Sequence, residues 1–306
     1  MENAIKQKIQ AAVQEQVEKV SQQRLANITG VSTGTLSFIR NNQWEKVSDE
    51  MWLKIGNSLH VIGKYNWTIA ETNPRKRLMF TLRSAQEDSL VMAVTGSAGI
   101  GKSAAISEYA NQSRNVFVLV CTEHWTRKAF LKELLRTMGL TSSDDSTTEM
   151  MNDVIVALKR MESPLIVMDE ADKLTDQVFH FFITLYNRLE DQCGIVLCAT
   201  GYLEKRIKKG VRTQKKGYEE IFSRIGRKFV KLQNLSRKDI RRVCEANGIF
   251  DDEVIERITE ESEYDMRRVK RSVWSEAKKE SRKYKDESLT MEDYGGDYEG
   301  SIDEQP

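Results

Sequence analysis

Four short and continuous apolar runs occupy the middle of the chain. They read VMAVT (91–95), VFVLV (116–120), LIVMD (165–169) and GIVLCAT (194–200). Runs of this kind, without polar alternation, are typical of parallel strands that are buried on both faces. The intervening segments instead carry apolar residues at helical spacing, over 127–138, 147–161 and 175–190. The pattern predicts an α/β fold whose parallel sheet has helices on both faces.

Residues 1–65 follow a different pattern, that of several short helices. The stretch 21–42, SQQRLANITGVSTGTLSFIRNN, predicts a helix, a turn around Gly30 and a second helix capped by Ser32. A helix, a glycine-containing turn and a helix form the helix-turn-helix signature, whose second helix enters the DNA major groove. We therefore expect a DNA-binding domain that contacts DNA through Thr33, Thr35 and Arg40. A small helical interaction domain is the alternative.

The C-terminal part also has a helical pattern. Residues 228–232 (KFVKL) are a possible fifth strand, and residues 235–285 are predicted to be all helix, beginning at a cap formed by Ser236. Residues 286–306 carry eight acidic side chains and no Lys or Arg, a composition typical of disorder. The predicted domains are therefore 1–65, 66–234, 235–285 and 286–306.

Composition narrows the class of protein. Hydrophobic residues make up 40% of the 306 residues and charged residues 30%, enough for a buried core and a solvated surface. No window approaches about 18 consecutive apolar residues, and the N-terminus lacks the apolar run of a signal peptide, so we expect a cytoplasmic protein without a membrane span. The four scattered cysteines show no metal-ligand spacing and are expected to be reduced.

The first apolar run leads into GSAGIGKS (96–103), which matches the phosphate-binding pattern G-x-x-x-x-G-K-[ST]. Its glycines allow backbone N–H groups to surround phosphate oxygens, and the helix that follows points its positive end at them. We expect Lys102 to reach the β- and γ-phosphates of ATP and Ser103 to bind Mg²⁺. The expected nucleotide-binding residues are Gly96, Ser97, Ala98, Gly99, Ile100, Gly101, Lys102, Ser103 and Ala104.

Polar residues end the third and fourth apolar runs. Asp169 is placed to hold Mg²⁺, and Glu170 is the expected catalytic residue that orients or deprotonates the attacking water. Thr200 follows the fourth run, where a polar side chain senses the γ-phosphate or positions water. A simple strand terminus is the alternative for Thr200. The expected reaction is the hydrolysis of ATP.

Together, the P-loop, the Asp-Glu strand end, the polar strand end and the helical C-terminal segment resemble the AAA+ ATPases, which implies an AAA+ core with a helical lid. The resemblance also implies that an arginine from a neighbouring subunit reaches the γ-phosphate, and IFSRIGRKF offers Arg224, with Arg227 as the second candidate. A further arginine at the start of the last lid helix is implied to contact the nucleotide, and YDMRRVKRSVW offers Arg267. The alternative for these arginines is ordinary surface charge.

Within the AAA+ proteins, VSTGTLSFI, GIVLCAT and IFSRIGRK resemble the family of phage Mu transposition B proteins, which is related to the IstB and TnsC helper ATPases. The likeness covers nearly the whole chain before the acidic tail. Members of the family bind DNA when they hold ATP, form helical filaments on it, deliver it to a DDE transposase and stimulate transposition. The resemblance therefore implies double-stranded DNA, a transposase and further copies of the chain as partners, with ATP hydrolysis driving disassembly.

Two segments of the core are candidates for DNA contact without sequence preference. At EHWTRKAF, Thr126, Arg127 and Lys128 begin a helix, where N–H groups and basic side chains bind phosphate. Residues 202–217 hold seven Lys/Arg and one Glu, so we expect a basic loop that contacts DNA through Lys205, Arg206, Lys208, Lys209 and Arg212, with Lys215 and Lys216 nearby. An ordinary helix cap at Thr126 and a solvated charged surface at 202–217 are the alternatives.

Two other functions share these features. One is a helicase loader or replication initiator of the DnaC type, which has the same core and ATP chemistry. The other is a helix-turn-helix regulator whose dimerisation is gated by ATP. The Asp-Glu pair favours hydrolysis over a purely binding role.

Overall fold

The computed structural model describes residues 1–59, 61, 67–141 and 146–293, with the backbone alone for 280–293. The chain divides into two compact units. The first consists of residues 1–66 and 72–235, and the second of residues 67–71 and 236–306. The N-terminal helices therefore belong to the same unit as the sheet, and the C-terminal helices form a unit of their own.

The first four helices enclose a small apolar core. They are α1 (Asn3–Lys19), α2 (Gln22–Thr29), α3 (Thr33–Arg40) and α4 (Asp49–Ser58). Gly30 ends α2 in the left-handed conformation (φ 67°), and the Ser32 hydroxyl accepts a hydrogen bond from the Thr35 amide at the start of α3. Thr35 itself is buried, with its hydroxyl against that of Ser32. Ser32 is the cap of α3, and the burial of Thr35 inside this small domain contradicts its expected contact with DNA.

Five parallel strands form one sheet in the order β2-β3-β4-β1-β5. They are β1 (Val91–Thr95), β2 (Val116–Val120), β3 (Leu165–Asp169), β4 (Gly194–Ala199) and β5 (Val230–Lys231). All four apolar runs are strands, with Thr200 one residue beyond β4, and KFVKL contributes a strand of two residues. The predicted α/β class and parallel sheet are confirmed.

Helices cover both faces of the sheet. Alternate residues of each strand point to opposite faces, and each face packs against helices in its own apolar cluster. In β3, Ile166 and Met168 join one cluster, and Leu165 and Val167 join the other, which also contains residues of the helices before and after β1. The helices of this unit that follow the N-terminal four are α5 (Asn73–Glu87), α6 (Lys102–Gln112), α7 (Arg127–Met138), α8 (Thr147–Lys159), α9 (Asp176–Phe179), α10 (Phe181–Leu189), α11 (Gly201–Arg212) and α12 (Tyr218–Arg224).

The basic segment 202–217 is a helix over most of its length rather than the expected loop. Leu203, Ile207 and Gly210 recur at helical spacing in α11, and all three are buried. The density of charge in the segment conceals this apolar stripe when the sequence is read alone. The basic side chains that point outward therefore lie on a rigid surface.

Arg24 of α2 joins the N-terminal helices to the edge of the sheet. Its guanidinium donates a hydrogen bond to the Val116 carbonyl of β2, and its Cζ lies 4.6 Å from the centroid of the Phe117 ring. Gly139, which ends α7 with φ 76°, leaves room for this contact, since a Cβ there would lie 3.0 Å from that of Arg24. Burial lowers the pKa of Arg24 to about 10. The arginine thus occupies a carbonyl on the outer edge of the sheet.

Three helices make up most of the second unit, α13 (Arg237–Ala246), α14 (Asp252–Ser262) and α15 (Met266–Asp293). Ser236 and Asp239 form the predicted capping box at the start of α13. Asn247 fastens segment 67–71 to these helices, because its side chain bonds both the N–H (2.9 Å) and the carbonyl (3.0 Å) of Thr68. Since α15 extends to Asp293, residues 286–293 are helical where composition predicts disorder, and residues 294–306 lie outside the described part of the chain. No helix among the described residues is long and apolar enough to cross a membrane.

A substitution at Gly194, the first residue of β4, tests how closely the sheet packs on α5. A Cβ at this position would lie 2.1 Å from the carbonyl oxygen of Ala85. We expect Gly194→Ala to lower the free energy of unfolding by about 1–3 kcal/mol, because backbone must shift to admit the methyl group. Gly201→Ala is the control, since a Cβ there meets nothing within 4 Å, and we expect it to stabilise by up to about 1 kcal/mol. Urea unfolding measures both, and equal midpoints would contradict the expected clash.

Candidate active site

The P-loop joins β1 to α6 in a conformation that requires glycine. Gly99 and Gly101 have φ values of 78° and 93°, in the left-handed region. Gly96 is buried, and a Cβ there would lie 2.5 Å from Cδ1 of Ile100. The loop therefore turns tightly and presents backbone at the start of α6, where amide groups attract anions.

Lys102, the first residue of α6, points back into this turn. Its ammonium donates hydrogen bonds to the carbonyl oxygens of Gly96 and Ser97, both at 2.8 Å. These two neutral acceptors hold the cation inside the loop. A phosphate group would compete for it strongly, because a charged acceptor makes the stronger hydrogen bond.

Ser103 and Asp169 meet where α6 begins and β3 ends. The Ser103 hydroxyl donates to Oδ2 of Asp169 at 2.6 Å, and the Glu170 amide donates to Oδ1 at 3.0 Å. Asp169 is only 2% exposed. Burial raises the pKa of Asp169, and the hydrogen bonds from Ser103 and the Glu170 amide oppose this rise.

The Ser103–Asp169 pair fits a magnesium ion. A hydroxyl and a carboxylate oxygen are the hard ligands that Mg²⁺ takes from proteins, which supply only one or two of them and leave the rest to phosphate and water. Among the described residues, no group of three or more His, Cys, Asp or Glu side chains is placed to hold a metal. The site therefore suits a metal that is brought in with a phosphate-bearing substrate.

Glu170 lies in a strained backbone conformation directly after β3. Its φ of 56° and ψ of 36° are in the left-handed region, which is uncommon for a residue with a side chain. Its carboxylate accepts a hydrogen bond from the Lys173 ammonium at 2.6 Å. Hydrogen bonding to Glu170 raises the pKa of Lys173. Sequence reasoning missed Lys173, although its spacing of three residues from Glu170 is a recognisable signal.

Thr200 follows β4, which lies between β3 and β1 in the sheet. Its hydroxyl donates to the Asp172 carboxylate at 2.8 Å and accepts from the Tyr202 amide at 3.3 Å, so it also caps α11. The structural alternative that the sequence leaves open is therefore present, and the sensing of the γ-phosphate by Thr200 stays a prediction. Asp172 is the partner that sequence reasoning missed.

The candidate trans-acting arginines lie at the end of α12. Arg224 donates to Oδ1 of Asn187 at 3.1 Å, and its Cζ lies 4.9 Å from the centroid of the Tyr186 ring, both on α10. Arg227 is exposed on a left-handed turn with φ 55°. In the second unit, Arg267 is exposed in the first turn of α15. The roles of all three arginines stay predictions.

Arg206, expected to contact DNA, is partly buried and bonded within the protein. Its guanidinium donates to the Asp172 carbonyl, the Asp176 carboxylate and the Tyr218 hydroxyl at 2.9, 2.7 and 2.9 Å. Its side chain is 13% exposed. The structure contradicts the expected DNA contact, because all three guanidinium nitrogens are bonded within the protein.

The other predicted bases of α11 are accessible. Lys205, Lys209 and Arg212 are exposed, and the first two lie one helical turn apart. Lys208 is also exposed but forms an ion pair with Glu204 at 2.7 Å. The helix therefore presents a basic face whose DNA contact is still a prediction.

The predicted contacts at α7 and α3 have local partners as well. Thr126 caps α7 by accepting from the Ala129 amide at 3.2 Å, with Arg127 exposed and Lys128 half-buried beside it. In the N-terminal helices, Gln22 accepts from Arg40 at 3.1 Å and donates to the Thr33 carbonyl at 2.8 Å. DNA contact at these positions stays a prediction.

Residues 85–207 match the family model of the AAA domain. This range includes the P-loop, Asp169, Glu170 and Thr200. The chain contains an AAA domain.

The chain is also homologous to phage transposition proteins. The Mu-like prophage FluMu DNA transposition protein B of Haemophilus influenzae is 24% identical over 253 residues, which cover 79% of this chain and 86% of that protein. The ATP-dependent target DNA activator B proteins of Escherichia phages Mu and D108 are each 24% identical over 257 residues, 79% of either chain.

The buried Asp169 carboxylate of this AAA domain carries a pH-dependent cost for folding. Because its pKa is raised in the folded protein, the stability contribution is largest at acid pH and declines as pH rises through the raised value. We expect Asp169→Asn to have a higher Tm than the parent at pH 7.5 without nucleotide, and the gap to narrow toward pH 4.

Ser103→Ala is the matched variant for this prediction. It removes the hydroxyl that bonds the carboxylate, so we expect a lower Tm at pH 7.5, in line with a loss of about 1.5–3 kcal/mol for a hydrogen bond to a charged group. Thermal unfolding at several pH values measures both variants. A lower Tm for Asp169→Asn at pH 7.5 would show that the bonded carboxylate stabilises the fold.

Proposed function

We propose that the protein is an ATPase that assembles on target DNA when it holds ATP, delivers that DNA to a DDE transposase and leaves it after hydrolysis. The hydrogen bond between Ser103 and Asp169 beside the P-loop carries the ATPase part of the proposal. The relatives' names, DNA transposition protein B and ATP-dependent target DNA activator B, support the DNA and transposition part. They favour transposition over helicase loading or operator binding, and their phage and prophage origin supports the bacterial cytoplasm as the location.

In the proposed reaction each residue has one task. Lys102 would exchange the carbonyls of Gly96 and Ser97 for the β- and γ-phosphates, and Ser103 and Asp169 would hold Mg²⁺. When bound, the metal neutralises phosphate charge. Glu170 orients and deprotonates the attacking water once Lys173 no longer pairs with it. Thr200 would sense the γ-phosphate or position the water, since it follows β4, the strand between β1 with its P-loop and β3 with Asp169.

Oligomerisation completes this proposed site. Arg224 contacts Tyr186 and Asn187 of its own chain, and we propose that it reaches the γ-phosphate held by the neighbouring subunit. A fixed guanidinium there stabilises charge in phosphoryl transfer. We propose that Arg267 of the second unit contacts the nucleotide. ATP at the boundary between subunits would then favour the assembled form.

The proposed DNA contacts are electrostatic. The exposed bases Lys205, Lys209 and Arg212 form a rigid face on α11. Arg127 adds a further base at the first position of α7, where the backbone amides of the helix also attract phosphate. Contacts with phosphate position a protein without reading bases, which suits a protein that captures many targets. We assign any contribution of α3 to Thr33 and Arg40, because Thr35 is buried.

Glu170→Gln tests the coupling of hydrolysis to DNA release. The amide keeps the size of the side chain but cannot accept a proton, so we expect ATP turnover to fall by about 100-fold or more and ATP-dependent assemblies on duplex DNA to persist far longer. Electron microscopy and a DNA-release assay in ATP or ADP measure this. Glu149→Gln, in the first turn of α8, is the control and should behave as the parent. Unchanged turnover in Glu170→Gln, or assembly that ignores the nucleotide, would contradict the proposal.

A mixing experiment tests the role of Arg224. Arg224→Ala subunits keep their own Lys102 and Glu170, whereas Glu170→Gln subunits keep Arg224, so each variant alone should be nearly inactive. We expect ATPase activity to return when the two are mixed on DNA, because one supplies the site and the other the arginine. Arg227→Ala should stay active alone. Failure of the mixture to regain activity would rule out Arg224 as the trans-acting arginine.

A further inference from the structure

Three side chains gather around Asp176, the first residue of α9. We call the four residues the Asp176 cluster: Asp176, Arg206, Lys215 and Tyr218. The Asp176 carboxylate accepts from Arg206 at 2.7 Å and from the Tyr218 hydroxyl at 2.5 Å, and it pairs with the Lys215 ammonium. Partial burial raises the pKa of Asp176, but the three donors outweigh it and hold the pKa well below its usual range. The carboxylate is therefore a fixed anion that binds three elements together.

Arg206 is the central member of the cluster. One terminal nitrogen donates to the Asp172 carbonyl at 2.9 Å, the other donates to Asp176, and Nε donates to the Tyr218 hydroxyl at 2.9 Å. Its Cζ also lies 4.9 Å from the centroid of the Phe179 ring. A planar guanidinium with every nitrogen bonded has one orientation, so the residues that it joins are held at set distances.

On one side, the cluster contacts the turn at residues 170–172, which follows β3 and carries the expected catalytic residue Glu170. Asp172 is two residues after Glu170, and its carbonyl is held by Arg206. Its carboxylate accepts the hydroxyl of Thr200 at 2.8 Å. The backbone that carries Glu170 is thus anchored to α11 through main-chain and side-chain contacts.

On the other side, the cluster holds the helix that ends in Arg224. Tyr218 begins α12 and is fully buried, with its ring against Gly210, where a Cβ would lie 2.3 Å from the ring. Arg224 is six residues further along this short helix, about 9 Å by the rise of an α-helix. A shift at Tyr218 is therefore transmitted to Arg224 by a rigid element.

We propose that Arg206, Asp176 and Tyr218 are positioning residues that set the place of Arg224 relative to the Glu170–Asp172 turn of the same subunit. The cluster would couple the nucleotide site of one subunit to the arginine that this subunit offers to its neighbour. The proposal rests on the proposed function, because it requires Arg224 to act in a neighbouring site.

Tyr218→Phe is the first test, since it keeps the buried ring and removes the hydroxyl that bonds Asp176 and Arg206. We expect kcat for DNA-stimulated ATP hydrolysis to fall between about 10- and 100-fold, as for a misplaced catalytic group, with KM for ATP within about twofold. Tyr109→Phe is the matched control, because it also removes one buried hydroxyl, bonded to Gln86 at 2.7 Å. It should lower the Tm by a similar amount without changing kcat.

A second test isolates the arginine that a subunit offers. Arg224→Ala subunits are mixed with donors whose own sites are already inactive: Glu170→Gln, Glu170→Gln/Tyr218→Phe or Glu170→Gln/Tyr109→Phe. We expect the first and third donors to restore ATPase activity and the second to restore at most about a tenth as much, a loss of at least 1.36 kcal/mol. Equal restoration by all three donors would overturn the positioning role while leaving the proposed function intact. Failure of all three would overturn the trans-acting arginine, and the positioning role with it.

Discussion

The candidate site depends on a hydrogen bond between Ser103 and Asp169, two residues that the parallel sheet brings to the same edge. Parallel strands bring their carboxyl ends to one edge, and there the loop after β1 meets the end of β3 across β4. The 2.6 Å contact joins the first turn of α6 to a carboxylate that is almost fully buried. The raised pKa of Asp169 is the electrostatic cost of that burial, and it is consistent with a group built to meet a cation.

Buried charge is handled in the same way elsewhere in this unit. Arg24 is held by a carbonyl at the edge of the sheet and by an aromatic ring, and Arg206 by a carbonyl, a carboxylate and a hydroxyl. A buried polar group without partners is costly, so each such contact constrains two elements at once. Arg24 links α2 to β2 in this way, and Arg206 links α11 to α9 and α12. Contacts of charged side chains therefore join helices and strands of this unit in addition to apolar packing.

Sequence analysis succeeds where the signal is local. The strands 91–95, 116–120 and 165–169 were predictable to the residue, because a strand covered on both faces must be continuously apolar. The caps at Ser32 and Ser236 were predictable because a cap bonds an amide only three residues away. α11 was missed as a helix, since its few inward positions are outnumbered by bases on the outside. The helical segment 286–293 was missed because composition carries no information about the helix that leads into it.

By itself, the sequence determined the α/β class, the P-loop and the acidic pair Asp169–Glu170, since each depends on residues that are contiguous in the chain. Only the tertiary structure decided which charged residues are available for function. Arg206 and Lys205 are neighbours in one basic run, yet the first is bonded inside the protein and the second is exposed. The difference arises because the partners of Arg206 lie 12 to 34 residues away along the chain. The role of a charged side chain follows from the groups that the fold brings to it.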